Sequence, residues 1–362
     1  MVTSDWVREG VRRYRAAGRR RLLYSLILIA VIAVICVFSL SISRVDISMG
    51  QAFQVIVDHI TGDLPSKMDE YADWWIDQIV VNDNAPRTVA GVCVGMILAV
   101  SGAMMHSSTR NPLTDPYTLG ISSAALFGTT VFIVMDICII PGLDGTAGQI
   151  ANAFVFSLIP VVAIIGITCF KRTTPTMMIL VGIAVMYMFN AFSTFIKFNA
   201  EDEDIQEIYE WSLGTLVRAD WDGVFLLIAA AVLILVVGVI MAGRLNVIST
   251  GDNESKALGE DPFKVRLVCF IMISIATAVA VCFTGTIGFV GLVAPHVARL
   301  IVGSDNKVLI PASAITGALL VVGSDCIVRL LPQVLPVGVI TALIGSPLFL
   351  YFLYSQRKKS TW

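Results

Sequence analysis

The fold class this sequence predicts is an all-α, polytopic membrane protein, and three observations predict it. Of its 362 residues, 56% are hydrophobic and only 14% charged, with a mean hydropathy of +0.82; soluble domains run at about half apolar and about a quarter charged. The apolar residues arrive in blocks close to the roughly 17–25 residues that cross a bilayer as a helix. Lysine and arginine are dense in every second segment between those blocks, the asymmetry a chain acquires when it threads back and forth through a membrane.

The elements follow in chain order. Residues 1–21 carry seven arginines and precede a first apolar run at about 22–42. That run is longer than a secretory signal core and has no small-residue cleavage site, so it reads as a retained span behind a basic cytosolic tail. Nine more spans are predicted at about 87–106, 118–140, 149–169, 177–198, 222–243, 267–284, 287–302, 308–330 and 337–354. The organisation is then a tail (1–21), one ten-helix unit (22–356) and a short tail (357–362), with both termini in the cytosol. This layout puts nineteen of the 25 Lys/Arg inside and leaves six outside: Arg44, Lys67, Arg87, Lys197, Arg218 and Arg329. Acidic runs go the other way, with MDEYADWWIDQ (68–78) and EDEDIQEIYE (201–210) both outside.

Two outer segments carry pattern. YADWWIDQIVV (71–81) reads as an amphipathic piece lying at the interface, where Trp and Tyr are at home. IQEIYEWSLGTLVRADW (205–221) has helical apolar spacing with Gly214 as its stop, against the alternative of a surface loop with an aromatic belt.

Several functions are excluded. A net charge of −2, with basic residues sorted by membrane side, gives no nucleic-acid surface. Carriers driven by ion gradients keep ionisable groups in mid-span, whereas Asp136, Arg299, Asp325 and Arg329 all fall near predicted span ends, where interface anchors are common. No HExxH, GxSxG or pair of mid-span aspartates suggests catalysis, so no catalytic residue is assigned. GDNESKALG lacks the GxxxxGK[ST] of a phosphate-binding loop. The seven cysteines show no paired spacing and read as small buried hydrophobes, and the three histidines, His59, His106 and His296, are too scattered for a metal site. A chain that moves a solute uphill without these devices must take its energy from another polypeptide.

The handle for such a motor is STGDNESKALGEDPFKVR (249–266), a polar island between two apolar runs on the cytosolic side. SKALG (255–259) can form a short helix between the breakers Gly251 and Gly259-Glu-Asp-Pro262, giving a rigid lever; a solvated connector is the plainer alternative.

Longer strings then carry a resemblance: SGAMMHSSTRNPLTDPYTLGIS (101–122), WSLGTLVRADW (211–221), ALGEDPFKVR (257–266), GFVGLVAPHVARLIVGSDNK (288–307) and LPVGVITALIGSPLFLYFL (335–353). Together they resemble the FecCD-type permease subunits of ABC importers for ferric siderophores, haem and vitamin B12, from about residue 85 to the C-terminus. The resemblance implies a type II importer permease fold and a homodimer around a central pathway. It implies two cytosolic ATPase subunits, which hold the ATP and magnesium while this chain holds no cofactor or metal of its own. It also implies an extracytoplasmic solute-binding protein, a metal-chelate substrate and residence in a prokaryotic cytoplasmic membrane.

The resemblance also distributes roles. The family's coupling segment falls on Ala257, Leu258 and Gly259, with Glu260 and Asp261 as polar contacts to the ATPase. Arg87 and Arg329 match the arginines with which the family grips acidic patches on the binding protein; Asn84 stands where the family often has another basic residue. TTPT (173–176) matches its cytosolic gate, with Thr174 and Thr176 as gate hydroxyls. Small residues Gly91, Gly95, Ser101 and Gly102 in the second span, and Gly338, Thr341 and Gly345 in the tenth, permit tight crossings about which helices rock, or equally ordinary packing. Pro295 bends the eighth span, and the neighbouring His296 reads as a satisfied side chain, with a ligand site as the alternative. The reading is a non-enzymatic permease subunit for an iron–siderophore, haem or cobalamin complex; the alternatives are the same machine for another metal chelate, or a secondary carrier.

Overall fold

A computed structural model describes residues 24, 26–43, 45–62, 71–170, 174–333 and 335–357. Most of both predicted tails lies outside the described residues, as do Arg44, Lys67, Lys171 and Arg172. Among the described residues all regular structure is helical. The helices are α1 (Leu26–Ser41), α2 (Met49–Thr61), α3 (Tyr71–Gln78), α4 (Ala85–Thr109), α5 (Ile121–Met135), α6 (Gly145–Phe170), α7 (Pro175–Lys197), α8 (Asp202–Ser212), α9 (Trp221–Ile248), α10 (Asp252–Ala257), α11 (Pro262–Thr284), α12 (Val290–Val302), α13 (Asn306–Leu330) and α14 (Val337–Arg357).

Among the described residues six helices are long and apolar enough to cross a membrane, the first being the run Ala72–Thr109 that contains α4, followed by α6, α7, α9, α11 and α13. Four shorter apolar helices correspond to α1, α5, α12 and α14. Each of these apolar helices overlaps a predicted apolar run, and six of them have the length and composition that crossing requires. α7 and α9 leave Tyr187, Phe192, Phe195, Phe225, Leu226 and Ile240 exposed along their flanks, an apolar surface suited to lipid or to another apolar helix.

α4 is the axis of the bundle: twenty of its 25 residues are buried. Glycine decides two of its crossings. A Cβ on Gly95 would run into the backbone of Gly317 and Ala318 on α13, and one on Gly102 into the backbone of Gly291 on α12. Close backbone approach at small residues is the main source of helix association where lipid is as apolar as the core. Gly238 of α9 meets Val100 and Met104 of α4, closing the third side.

The structure corrects several sequence expectations. The 71–81 segment is not a separate interfacial piece but runs without a break into α4, through a π-helical stretch at Ile79–Asn84. Pro86 has no N–H for the carbonyl four residues back. The ladder widens there instead of ending, and the Ala85 N–H bonds Val80 O. α5 ends at Met135 rather than near 140, because Asp136 takes a left-handed φ of 52° as its C-cap. The eighth span begins at Val290, three residues late, after Phe289 with φ 67°.

On the face opposite α10, the end of α8, the 285–289 loop and the start of α14 are stitched together by their backbones. The Thr215 N–H bonds Thr284 O at 2.7 Å, the Gly338 N–H bonds Gly214 O at 3.2 Å, and Thr286 Oγ1 donates to Ser212 O. Gly214, with φ 73°, is the predicted stop of α8, and its missing side chain leaves room for Thr286 O. Non-helical backbone within a membrane bundle is tolerated where such bonds satisfy it.

Candidate functional site

The polar island folds as a lever. Its helix, α10, starts at Asp252 rather than Ser255 and ends at Ala257. Gly251 (φ 144°) and Gly259 (φ 84°) make the turns on either side. Ser255 is fully buried and donates to Val247 O at 3.0 Å, which pins α10 to the end of α9. Ala257, Leu258 and Gly259 are exposed at the tip, Leu258 with 66% of its surface free.

The base of the lever is an ion cluster that the sequence reading missed. Asp252 accepts from Arg266 Nη1 at 2.8 Å and Nη2 at 2.6 Å, and Arg110 Nη2 lies 3.0 Å from its Oδ1. Arg266, on the first turns of α11, is almost wholly buried and also donates Nε to Ser108 O at 2.8 Å. α10 is thereby tied to α11 and to the last turn of α4 at once. Bonding to the Arg266 guanidinium holds the Asp252 carboxyl below its ordinary value of 3.8. No sequence signal pairs 252 with 110 and 266; only the acidic first turn after a glycine marks Asp252 as special.

Glu260 and Asp261 are already engaged within the chain. Glu260 sits 3.6 Å from Arg244 Nε, and Asp261 caps α11 by accepting from the Phe263 N–H at 3.1 Å. They shape the lever's return more than its tip.

At the opposite end of α4, Arg87 and Arg329 meet on one carboxylate. Arg87 donates to Asp325 Oδ1 from Nε at 3.0 Å and Nη2 at 2.7 Å, and Arg329 donates Nε to Asp325 Oδ2 at 2.8 Å. Arg329 Nη1 also donates to Ser39 O and to Asn84 Oδ1, both at 3.0 Å, while Asn84 Nδ2 donates to Leu40 O at 2.8 Å. Asp325 and Arg329 are therefore not interface anchors but the interior of a clamp over α1, α4 and α13. The side chains of Asp325, Arg329 and Arg87 keep 2%, 7% and 18% of their surface exposed. The Asp325–Arg329 pair, four residues apart on one helix, was the one legible part of this cluster.

The remaining candidates are placed as follows. Thr174 N-caps α7, its Oγ1 accepting from the Met177 N–H at 3.3 Å, and Thr176, the second residue of the helix, is exposed. His106 and His296, far apart in sequence, have ring centroids 5.3 Å apart between α4 and α12, so they are not scattered in space. His296 bonds Leu292 O through Nδ1 at 2.8 Å and stacks on Phe352. Among the described residues no group of three or more His, Cys, Asp or Glu could hold a metal ion.

A bundle of apolar helices around a central glycine-bearing axis, with a polar helix exposed at one end, is an architecture suited to a transporter's membrane-spanning subunit. The chain belongs to the FecCD transport family, whose model matches residues 30–355. It is 34% identical over 340 residues to the iron(3+)-hydroxamate import system permease FhuB of Bacillus subtilis, covering 92% of this chain and 84% of that protein. It is 36% identical over 289 residues to the cobalamin import system permease BtuC of Halobacterium salinarum, covering 78% and 75%. A solved metal-chelate type ABC transporter in an inward-facing conformation superposes with a TM-score of 0.78 at 26% identity, over 91% of this chain and 98% of that one. The protein is a multi-pass permease component of an ABC importer in the cell membrane, not an enzyme; proteins of this family work with ATPase and substrate-binding partners.

Proposed function

We propose that this chain is the pathway-forming subunit of an importer for a metal chelate (a ferric siderophore, haem or cobalamin), working as a homodimer with two cytosolic ATPase subunits and an external binding protein. The observation that carries the reading is the α10 lever: an exposed Ala257-Leu258-Gly259 tip whose base is ion-paired to two spans. In the proposed ten-span arrangement both termini and α10 face the cytosol, which agrees with the positive-inside distribution. ATP and magnesium act on the partner subunits. Closure of those subunits moves the tip, and Asp252 passes the movement to α11 through Arg266 and to α4 through Arg110.

Thr174 and Thr176 lie at the start of α7, where a gate on the cytosolic side would stand; Thr174 acts there by fixing the helix start. On the outer side, Arg87 spends Nε and Nη2 on Asp325 and keeps Nη1 for a carboxylate of the binding protein. Arg329, more deeply buried, acts by positioning Asp325 and Arg87. Reconstitution in sealed vesicles tests the function. Uptake of a ferric siderophore, haem or cobalamin against its gradient should require the ATPase partner and ATP. Sustained uphill uptake by this chain alone under a proton or sodium gradient would establish a secondary carrier instead.

A further inference from the structure

One groove is unrelated to the lever and the clamp. It lies on the flank where α6 and α9 both pack on α11, on the side opposite α10, and encloses about 660 Å³. Its floor is Ile275, Val279 and Cys282 of α11. Its walls are carved by small residues at helical spacing, Ala147 and Ala151 on α6 and Gly223, Ala229 and Ala230 on α9, flanked by the exposed side chains of Leu226 and Leu233.

Dimensions decide what fits. From Gly223 to Leu233, α9 rises about 15 Å at 1.5 Å per residue, which is half of the roughly 30 Å hydrocarbon core and therefore the depth of one leaflet. A groove of that length and volume takes an extended hydrocarbon chain. The three helices are apolar and long enough to span, so the groove opens onto lipid.

The mouth is polar. Thr146, Asp220 and Asp222 line it at the level where α6 and α9 begin. Asp220 uses Oδ1 to cap α9, accepting from the Gly223 N–H at 2.8 Å, and Asp222 is exposed beside it. Arg218, also exposed, stands two residues before, its Nη1 3.4 Å from Gln149 Oε1 on α6. Two carboxylates and one guanidinium at headgroup depth match a headgroup that carries both an amine and a phosphate.

We propose that the α6–α9–α11 groove is a lipid site that holds one acyl chain of a zwitterionic phospholipid from the leaflet opposite α10, its amine against Asp220 and Asp222 and its phosphate toward Arg218. The inference needs the membrane setting of these helices and not the direction or substrate of transport. Burial of apolar chain in a complementary groove supplies the binding, and the mouth supplies the choice of headgroup.

The full chain, in nanodiscs containing a phosphatidylethanolamine with a photoactivatable group in its acyl chain, tests this by mass-spectrometric mapping of the cross-links. Labelling should concentrate on the groove segments 147–154 and 226–233, several-fold above the lipid-facing 236–240 stretch of the same helix. Ala229→Trp, which fills the groove from an exposed position, should lower groove labelling several-fold, while Val236→Trp on the open face should leave it unchanged. Unlabelled phosphatidylethanolamine should compete better than phosphatidylglycerol on the unsubstituted chain, an arm that stands even if a tryptophan variant fails to fold. Equal labelling of groove and open face would overturn the site, and equal competition by the two lipids would overturn the headgroup assignment. Disulfide-linked dimers of Ala229→Cys would put a second copy in the groove and overturn the proposal.

Discussion

The two ends of α4 solve one electrostatic problem in opposite ways. Each end carries an arginine, Arg87 or Arg110, and each arginine shares an aspartate with a second arginine: Asp325 with Arg329, Asp252 with Arg266. Asp325 is 2% exposed and Asp252 40%. A carboxylate that deep, bonded to two guanidiniums of which one also reaches the Ser39 carbonyl of α1, can only hold parts together. One that is two-fifths in water can hold a part and still let it move. Burial, not composition, separates a clamp from a hinge here.

The comparison breaks most visibly at Asp325. Asp325→Ala leaves two guanidiniums buried without a counter-charge, a loss of about 3–5 kcal/mol when one partner of a buried pair is removed. Thermal unfolding in detergent should fall sharply, and little folded protein should be recovered from membranes. Next comes Gly95→Leu, which forces side chain into the Gly317 backbone and separates α4 from α13; overpacking of this kind costs about 1–3 kcal/mol, again read from the melting temperature.

Asp252→Ala sharpens the contrast. Its stability cost should be smaller than that of Asp325→Ala, because Asp252 is 40% exposed and Ser108 O still accepts from the buried Arg266. ATP-driven uptake should nonetheless drop far more than the melting temperature, because α10 has lost its ties to α4 and α11 and is left with the Ser255 bond to α9. Arg110→Ala should have a weaker effect of the same kind, since Arg266 retains Asp252; vesicle uptake should fall only partly.

The smallest effect is that of pH on the lever. Asp252 has a folded value lowered by Arg266 from 3.8, so its contribution is complete above the unfolded carboxylate value and is lost only as pH falls through the lower folded one. Between pH 8 and 5 the tie between α10 and α11 should not change, which hydrogen exchange on residues 252–257 can check.

Much of this was legible in the sequence, for physical reasons. Apolar run length located the apolar helices, since hydropathy acts locally and on every residue. Gly251 and Gly259 bracketed the lever because φ values of 144° and 84° are glycine's territory. The three-body clusters were not legible: Arg87 and Asp325 are 238 residues apart, and no spacing rule reaches across a bundle. The continuous 72–109 helix was hidden by Pro86, which locally reads as a start and is absorbed here by a π-turn. The His106–His296 contact was hidden for the same reason as the clamp: it exists only once α4 and α12 cross at Gly102 and Gly291.

The central claim is that a partner's motion enters through the exposed tip of α10. Leu258 is 66% exposed and supports no core packing, so Leu258→Asp tests the tip without unfolding the chain. With the ATPase partner and binding protein present in vesicles, the account predicts an unchanged melting temperature and loss of ATP-driven uptake. Uptake at the unsubstituted rate would contradict it.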